Sequence, residues 1–213
     1  MRKSVFSLFP VIFFFSLNQH VNGQSVFLDN EDGLYGDYGI ISNSNLKGKV
    51  INGGYSYLGK YDIGFTYLHQ KEDLESIFSA HFSVNIRDKK ANVKSLGSVS
   101  FGMSAVENRM GVFGGLGYSF LFKFDKNLYF FPDIIGGFSI LKLGNEMNRQ
   151  IRVEPTLSLG ASIAHENKFS YLYFGPGLVL TREATSFSIS LGTIFKFANS
   201  SAKIDNQNEN PSD

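Results

Sequence analysis

The residues best suited to chemistry are His81 and Ser83, the only His-x-Ser pair in the chain. On a strand, both side chains and that of Asn85 fall on one face, because side chains alternate with a period of two. A nucleophilic serine needs a base within hydrogen-bond reach and a third group that orients the base. No acid for that third role can be picked out of the sequence. A polar network inside the fold is therefore the expected use of these residues, with acyl-ester hydrolysis by His81 and Ser83 as the alternative. Other charges within candidate strands include Asp37, Asp62, Asp133, Arg152, Glu154, Lys123 and Lys196. Burying charges singly is costly, so these are expected to pair across an interior; the alternative is that they line a narrow water path.

Other chemistry is poorly supported. His69 and His165 have no second His and no Cys at ligand spacing, so neither a metal nor another cofactor is expected. Gly111–Gly117 is Gly-rich but has no Lys-Ser/Thr after it and opens no helix, so it does not read as a phosphate loop. A formal net charge of +1, with acids and bases interspersed, offers no footprint for nucleic acid. There is no Cys to make a disulfide framework.

The elements that must carry these residues are strands. Turn signals divide the chain into ten candidates: Gly33–Ser42, Lys47–Tyr57, Tyr61–His69, Glu75–Arg87, Val93–Val106, Met110–Phe124, Leu128–Leu143, Gln150–His165, Phe169–Thr181 and Thr185–Phe197. Merging the weakest pair near the start would leave eight. The separators are short and polar, as in Gly59-Lys60 and Asp125-Lys126-Asn127, which makes neighbours antiparallel and up-and-down. The last candidate shows the faces most clearly. Phe187, Ile189, Leu191, Thr193, Phe195 and Phe197 oppose Ser188, Ser190, Gly192, Ile194 and Lys196. The sixth, eighth and ninth candidates repeat this large-apolar against small-polar division.

Alternation alone does not say which face points inward. A soluble lipocalin-like ligand-binding barrel would turn the apolar face inside. Leu116, Tyr118, Phe120 and Phe122 from one strand, with similar sets from its neighbours, exceed what so small a closed barrel holds at normal packing density. The expectation is therefore an all-β, closed antiparallel up-and-down transmembrane β-barrel with its apolar face toward lipid. Tyr55, Tyr57, Tyr61, Phe122, Phe124, Tyr129, Phe130, Phe131, Tyr171, Tyr173, Phe195 and Phe197 all flank one set of turns. They read as an interfacial aromatic girdle on the periplasmic side.

On this pattern Gly33 to Phe197 resembles the broad, porin-like class of small bacterial outer-membrane β-barrel proteins. The resemblance implies a bacterial outer-membrane location, outer-membrane lipid as surroundings, and a non-enzymatic role as a narrow small-solute pore or a structural or surface-contact envelope protein. It also implies recognition by the barrel-assembly machinery through an aromatic strand end, here Phe197 with Phe195 and Leu191 on the same face; a polar tail after Phe197 departs from the pattern. Some outer-membrane lipid hydrolases carry a His and Ser pair on a strand, which is what keeps the enzymatic alternative open. The lumen polar candidates are Asp62, His81, Ser83, Asn85, Asp133, Arg152 and Glu154.

The chain starts with Arg2 and Lys3, an apolar run from Val5 to Leu17, and Val21-Asn22-Gly23 at the positions signal peptidase reads. Residues 1–23 are therefore expected to be a signal peptide cleaved before Gln24, with the barrel domain over 24–197. Residues 198–213 read as a disordered polar tail.

Overall fold

The computed structural model describes residues 25–43, 47–70, 76–88, 93–106, 109–143, 150–182 and 184–197. The expected signal peptide over 1–23, its cleavage before Gln24 and the tail over 198–213 lie outside the described residues.

Ten strands follow a short turn at Ser25–Leu28. They are β1 (Asp32–Ser42), β2 (Lys47–Tyr57), β3 (Tyr61–Gln70), β4 (Ser76–Asp88), β5 (Lys94–Val106), β6 (Arg109–Asp125), β7 (Leu128–Leu143), β8 (Gln150–Glu166), β9 (Ser170–Thr181) and β10 (Thr185–Phe197). Each expected strand is present, with ends shifted by a residue at most. Every strand pairs antiparallel with its sequence neighbour, and β1 closes the ring on β10 from Asp32↔Phe197 to Ser42↔Phe187. The barrel is thus ten-stranded, not eight-stranded. Closure leaves no strand edge unpaired, which is the condition for a sheet to sit in lipid. Among the described residues no helix is long and apolar enough to cross a membrane, which has no bearing on strands.

The apolar face is the outer one. Ile63, Phe82, Phe101, Leu116, Leu157, Phe174 and Leu191 are all exposed, while Asp62, Ser83, Ser100, Ser158 and Tyr173 face inward and are buried. The lumen is crowded, and its glycines make the room. A Cβ on Gly64 would collide with the Tyr35 hydroxyl and the His81 ring, and one on Gly192 with the Tyr173 ring. At the β2–β3 hairpin both Leu58 and Gly59 have positive φ (55° and 62°), a pairing of left-handed residues that matches the twist of a tight hairpin. Asp32 Oδ1 accepts a hydrogen bond from the Leu58 amide at 2.8 Å and ties the hairpin to the start of β1.

The girdle needs correction. Tyr57, Tyr61, Phe122, Phe124, Phe195 and Phe197 do lie outside. Tyr129, Phe131, Tyr171 and Tyr173 instead point into the lumen and are buried. They share the level of the outer ring but occupy the opposite phase of the strand, where an aromatic ring fills the barrel mouth instead of meeting headgroups.

Candidate functional site

What these inward rings surround is the segment Ser25-Val26-Phe27-Leu28. It is a single 3₁₀ turn, closed by the Leu28 amide donating to the Ser25 carbonyl at 3.0 Å. Val26, Phe27 and Leu28 are buried with Tyr35, Leu96, Leu121, Tyr129, Phe131, Tyr171, Tyr173 and Ile194 in one apolar cluster. The Phe27 ring lies 4.8 Å from Phe131 at 87° and 4.7 Å from Tyr171 at 38°, centroid to centroid. Edge-to-face and tilted contacts at this range are the favourable ones for aromatic rings. The segment thus plugs the barrel end that holds both the start of β1 and the end of β10.

Charged groups fasten the plug. Arg87, inward on β4, donates through Nη2 to the Ser25 carbonyl at 3.0 Å and to the Leu28 carbonyl, and through Nη1 to Asp29 Oδ1 at 2.5 Å. Lys94 adds a longer pair to Asp29 Oδ2 at 3.4 Å. Partial burial works to raise the Asp29 carboxyl, but the Arg87 and Lys94 cations beside it prevail and hold it below the usual carboxylate range. On the other side, Ser25 Oγ donates to Asp62 at 2.6 Å. Across the mouth, Glu166 accepts from Tyr129 at 2.6 Å, Tyr171 at 2.8 Å and Lys196 at 2.7 Å.

At this mouth charges pair across the interior, as expected. Deeper in, carboxylates meet neutral donors. Asp62 takes the Asn85 amide at 2.5 Å. Asp37 takes the Asn52 amide at 2.7 Å and the Tyr173 hydroxyl at 3.0 Å. Hydrogen bonds of this kind offset part of the cost of burying a carboxyl group. Lys123 is exposed at the rim, its ammonium 5.4 Å from the Tyr129 ring centroid. Between the mouth and the far end is a cavity of about 40 Å³ that Asp37, Asn52, Asp133, Ser162, Ser188 and Ser190 help to line. At the far end Ile41, Leu68 and Ile77 are fully buried, with Gly48 leaving the space in which Ile41 and Leu68 meet.

The structure places the other sequence candidates as follows. His81, Ser83, Asn85, Asp133 and Glu154 are all buried on the lumen side. The His81 Nε2 is 3.2 Å from the Tyr35 hydroxyl, and its Nδ1 has no hydrogen-bond partner, so no acid orients this imidazole. Arg152 pairs with Leu141 in the ladder, and its side chain lies outside the described residues. Leu191, Phe195 and Phe197 project outward. No group of three or more His, Cys, Asp or Glu able to hold a metal occurs among the described residues. Sequence reasoning missed the plug. Its signal was the apolar triplet Val26-Phe27-Leu28, stranded between polar residues ahead of β1.

The chain matches no protein-family profile and no curated protein. Among solved structures it is similar to the β domain of the Bordetella autotransporter Brka, at 8% identity and a TM-score of 0.49, over 78% of this chain and 99% of that one. The KdgM porin in complex with disordered oligogalacturonate gives 7% identity and a TM-score of 0.43, over 77% and 99%. The N-terminal β-barrel domain of Pseudomonas aeruginosa OprF gives 11% and 0.36, over 78% and 97%. The closed strand ladder, not these distant likenesses, defines the fold.

Proposed function

We propose that this barrel, which has the architecture of the small outer-membrane β-barrel proteins, is an integral, non-enzymatic protein of the bacterial outer membrane with a structural or surface-contact role. The observation that carries the reading is the occupied lumen. An apolar plug seals one mouth, buried Ile41, Leu68 and Ile77 crowd the other end, and a cavity between them, beside Asp37 and Asp133, measures about 40 Å³. A space of that size holds on the order of a few waters and no larger solute. The apolar exterior supports membrane residence, and the leader-like start of the chain supports export. With the short hairpins and both barrel ends of β1 and β10 on the periplasmic side, the plug faces the periplasm. The outward Leu191, Phe195 and Phe197 are the surface that the barrel-assembly machinery would read.

Planar-bilayer recording of the refolded chain tests the closed state. The expected result is insertion without steady current above that of the bare bilayer. A stable open conductance would replace this reading with the narrow-pore one, and recovery from cells as a soluble periplasmic protein would sink both.

The enzymatic alternative has its own test. His81→Ala and Ser83→Ala are expected to leave any acyl-ester hydrolysis by the preparation unchanged, while each lowers stability by about 1–3 kcal/mol through interior partners left unsatisfied. Parallel loss of hydrolysis in both variants, with normal heat-modifiable migration, would establish the pair as catalytic.

A further inference from the structure

The outer apolar band is twice as tall on one side of the barrel as on the other. On β3 it runs only from Tyr61 to Tyr67, on β1 from Leu34 to Ile40 and on β2 from Ile51 to Tyr57, six residue steps in each case. With a rise of about 3.3 Å per residue and a tilt of about 40°, six steps span about 15 Å of bilayer normal. On β6 the exposed band runs from Met110 to Phe124, and on β8 from Ile151 to Ile163, fourteen and twelve steps. The same arithmetic gives about 35 and 30 Å. Barrels of this kind usually present a band of about 25 Å.

Polar residues bound the short side. Lys47 and Lys49 are exposed on the outer face of β2 immediately beyond Ile51, and His69 is the ladder partner of Lys49 on β3. Lysine stems can lie along apolar chains, but their ammonium groups must reach the headgroup level. At the other end the β2–β3 hairpin turns at Lys60, which is also exposed. The tall side meets a basic residue only at the level of Ile151, whose ladder partner on β7 is Lys142. Ile151, at 75% exposure, and Met110 continue the apolar row to the far end of β8 and β6.

The geometry points to a wedge-shaped lipid interface, whose partner is a bilayer thinned beside β1–β3 and of full thickness or more beside β6–β8. This rests on the membrane placement proposed above. Lipid meeting the short wall must bring its headgroups toward Lys49 and Lys60, because ammonium groups left among acyl chains are costly; a band about 10 Å shorter than usual is met by lysine stems reaching outward together with local thinning. Lipid meeting the tall wall must cover the row that begins at Val112 on β6 and Val153 on β8, with headgroups no lower than the level of Lys142 and Ile151, because a long exposed apolar row facing water is unfavourable. One rigid closed ladder imposes both demands at once.

The chain has no Trp, so single reporters can be read without background. Phe65→Trp sits at the middle of the short face, Leu116→Trp at the middle of the tall face, and Ile151→Trp at the far edge of the tall face; Ile63→Trp and Tyr118→Trp replace the first two should either fail to refold. Each full-length variant is refolded into phosphatidylcholine vesicles brominated near the headgroup or near the chain end. The ratio of shallow to deep quenching is expected to be higher by about twofold or more at Phe65→Trp than at Leu116→Trp. Ile151→Trp is expected to be quenched by brominated lipid and shielded from aqueous iodide. Equal ratios on the two faces, or an Ile151→Trp open to iodide and untouched by lipid, would overturn the wedge while leaving the membrane reading intact. Absence of lipid quenching at every position would instead remove the membrane reading, and the wedge with it.

Discussion

Phe27→Ala is expected to destabilise the barrel by about 3–5 kcal/mol, although Phe27 belongs to no strand. Its ring is 3% exposed and packed against Tyr129, Phe131 and Tyr171, so truncation leaves a cavity in the middle of the mouth cluster. Urea unfolding of the refolded chain in lipid vesicles measures the loss. Arg87→Ala should cost less, about 1–3 kcal/mol, by stranding the carbonyls of Ser25 and Leu28 and the Asp29 carboxylate. Because Phe27 and Arg87 hold the same four residues in place, the double variant should lose less than the two single losses added. A Phe27→Ala change below about 1 kcal/mol would mean that the plug is not seated as described.

The second large effect concerns the outer wall. Leu157→Arg, in the middle of the band on β8, is expected to cost about 2–4 kcal/mol in a bilayer. Phe124→Arg, at the β6–β7 hairpin, should cost about 0–1 kcal/mol, since arginine there reaches the headgroups. Equal costs at the two positions would mean that Leu157 does not meet the bilayer interior. The alternation by itself makes Ser158→Arg look like the mild control, because the lumen is polar. The structure overturns that choice. Ser158 is 0% exposed, and an arginine there would have to be fitted into packed space as a buried charge.

The mouth shows how far alternation carries and where it stops. Tyr129 and Phe131 alternate with Phe130 and Pro132 as a strand requires, and Tyr171 and Tyr173 do likewise with Leu172 and Phe174. Reading them by residue type and distance from the hairpin put them in the girdle. Reading them by phase puts them in the lumen with Asp133 and Gly175, which is where they are. The phase was available in the sequence. What was missing was a reason to want aromatic rings inside a barrel, and that reason is Phe27.

The sequence by itself determined the strand boundaries, the antiparallel order and, with the packing limit of a small barrel, the outward face, while the closed ladder decided ten strands against eight. A period of two with short hairpins leaves few alternatives, and each β10 residue from Phe187 to Phe197 takes its side from that period alone. Closure of β1 on β10 follows because lipid tolerates no free edge. Only the tertiary structure decided what fills the lumen. Val26-Phe27-Leu28 has no periodicity, and its partners Arg87, Phe131 and Tyr171 are between 59 and 145 residues away from Leu28 and Val26 in the chain. Packing of that kind depends on which inward side chains reach one level of a closed cylinder, set by the register of ten strands together, and no local pattern encodes it.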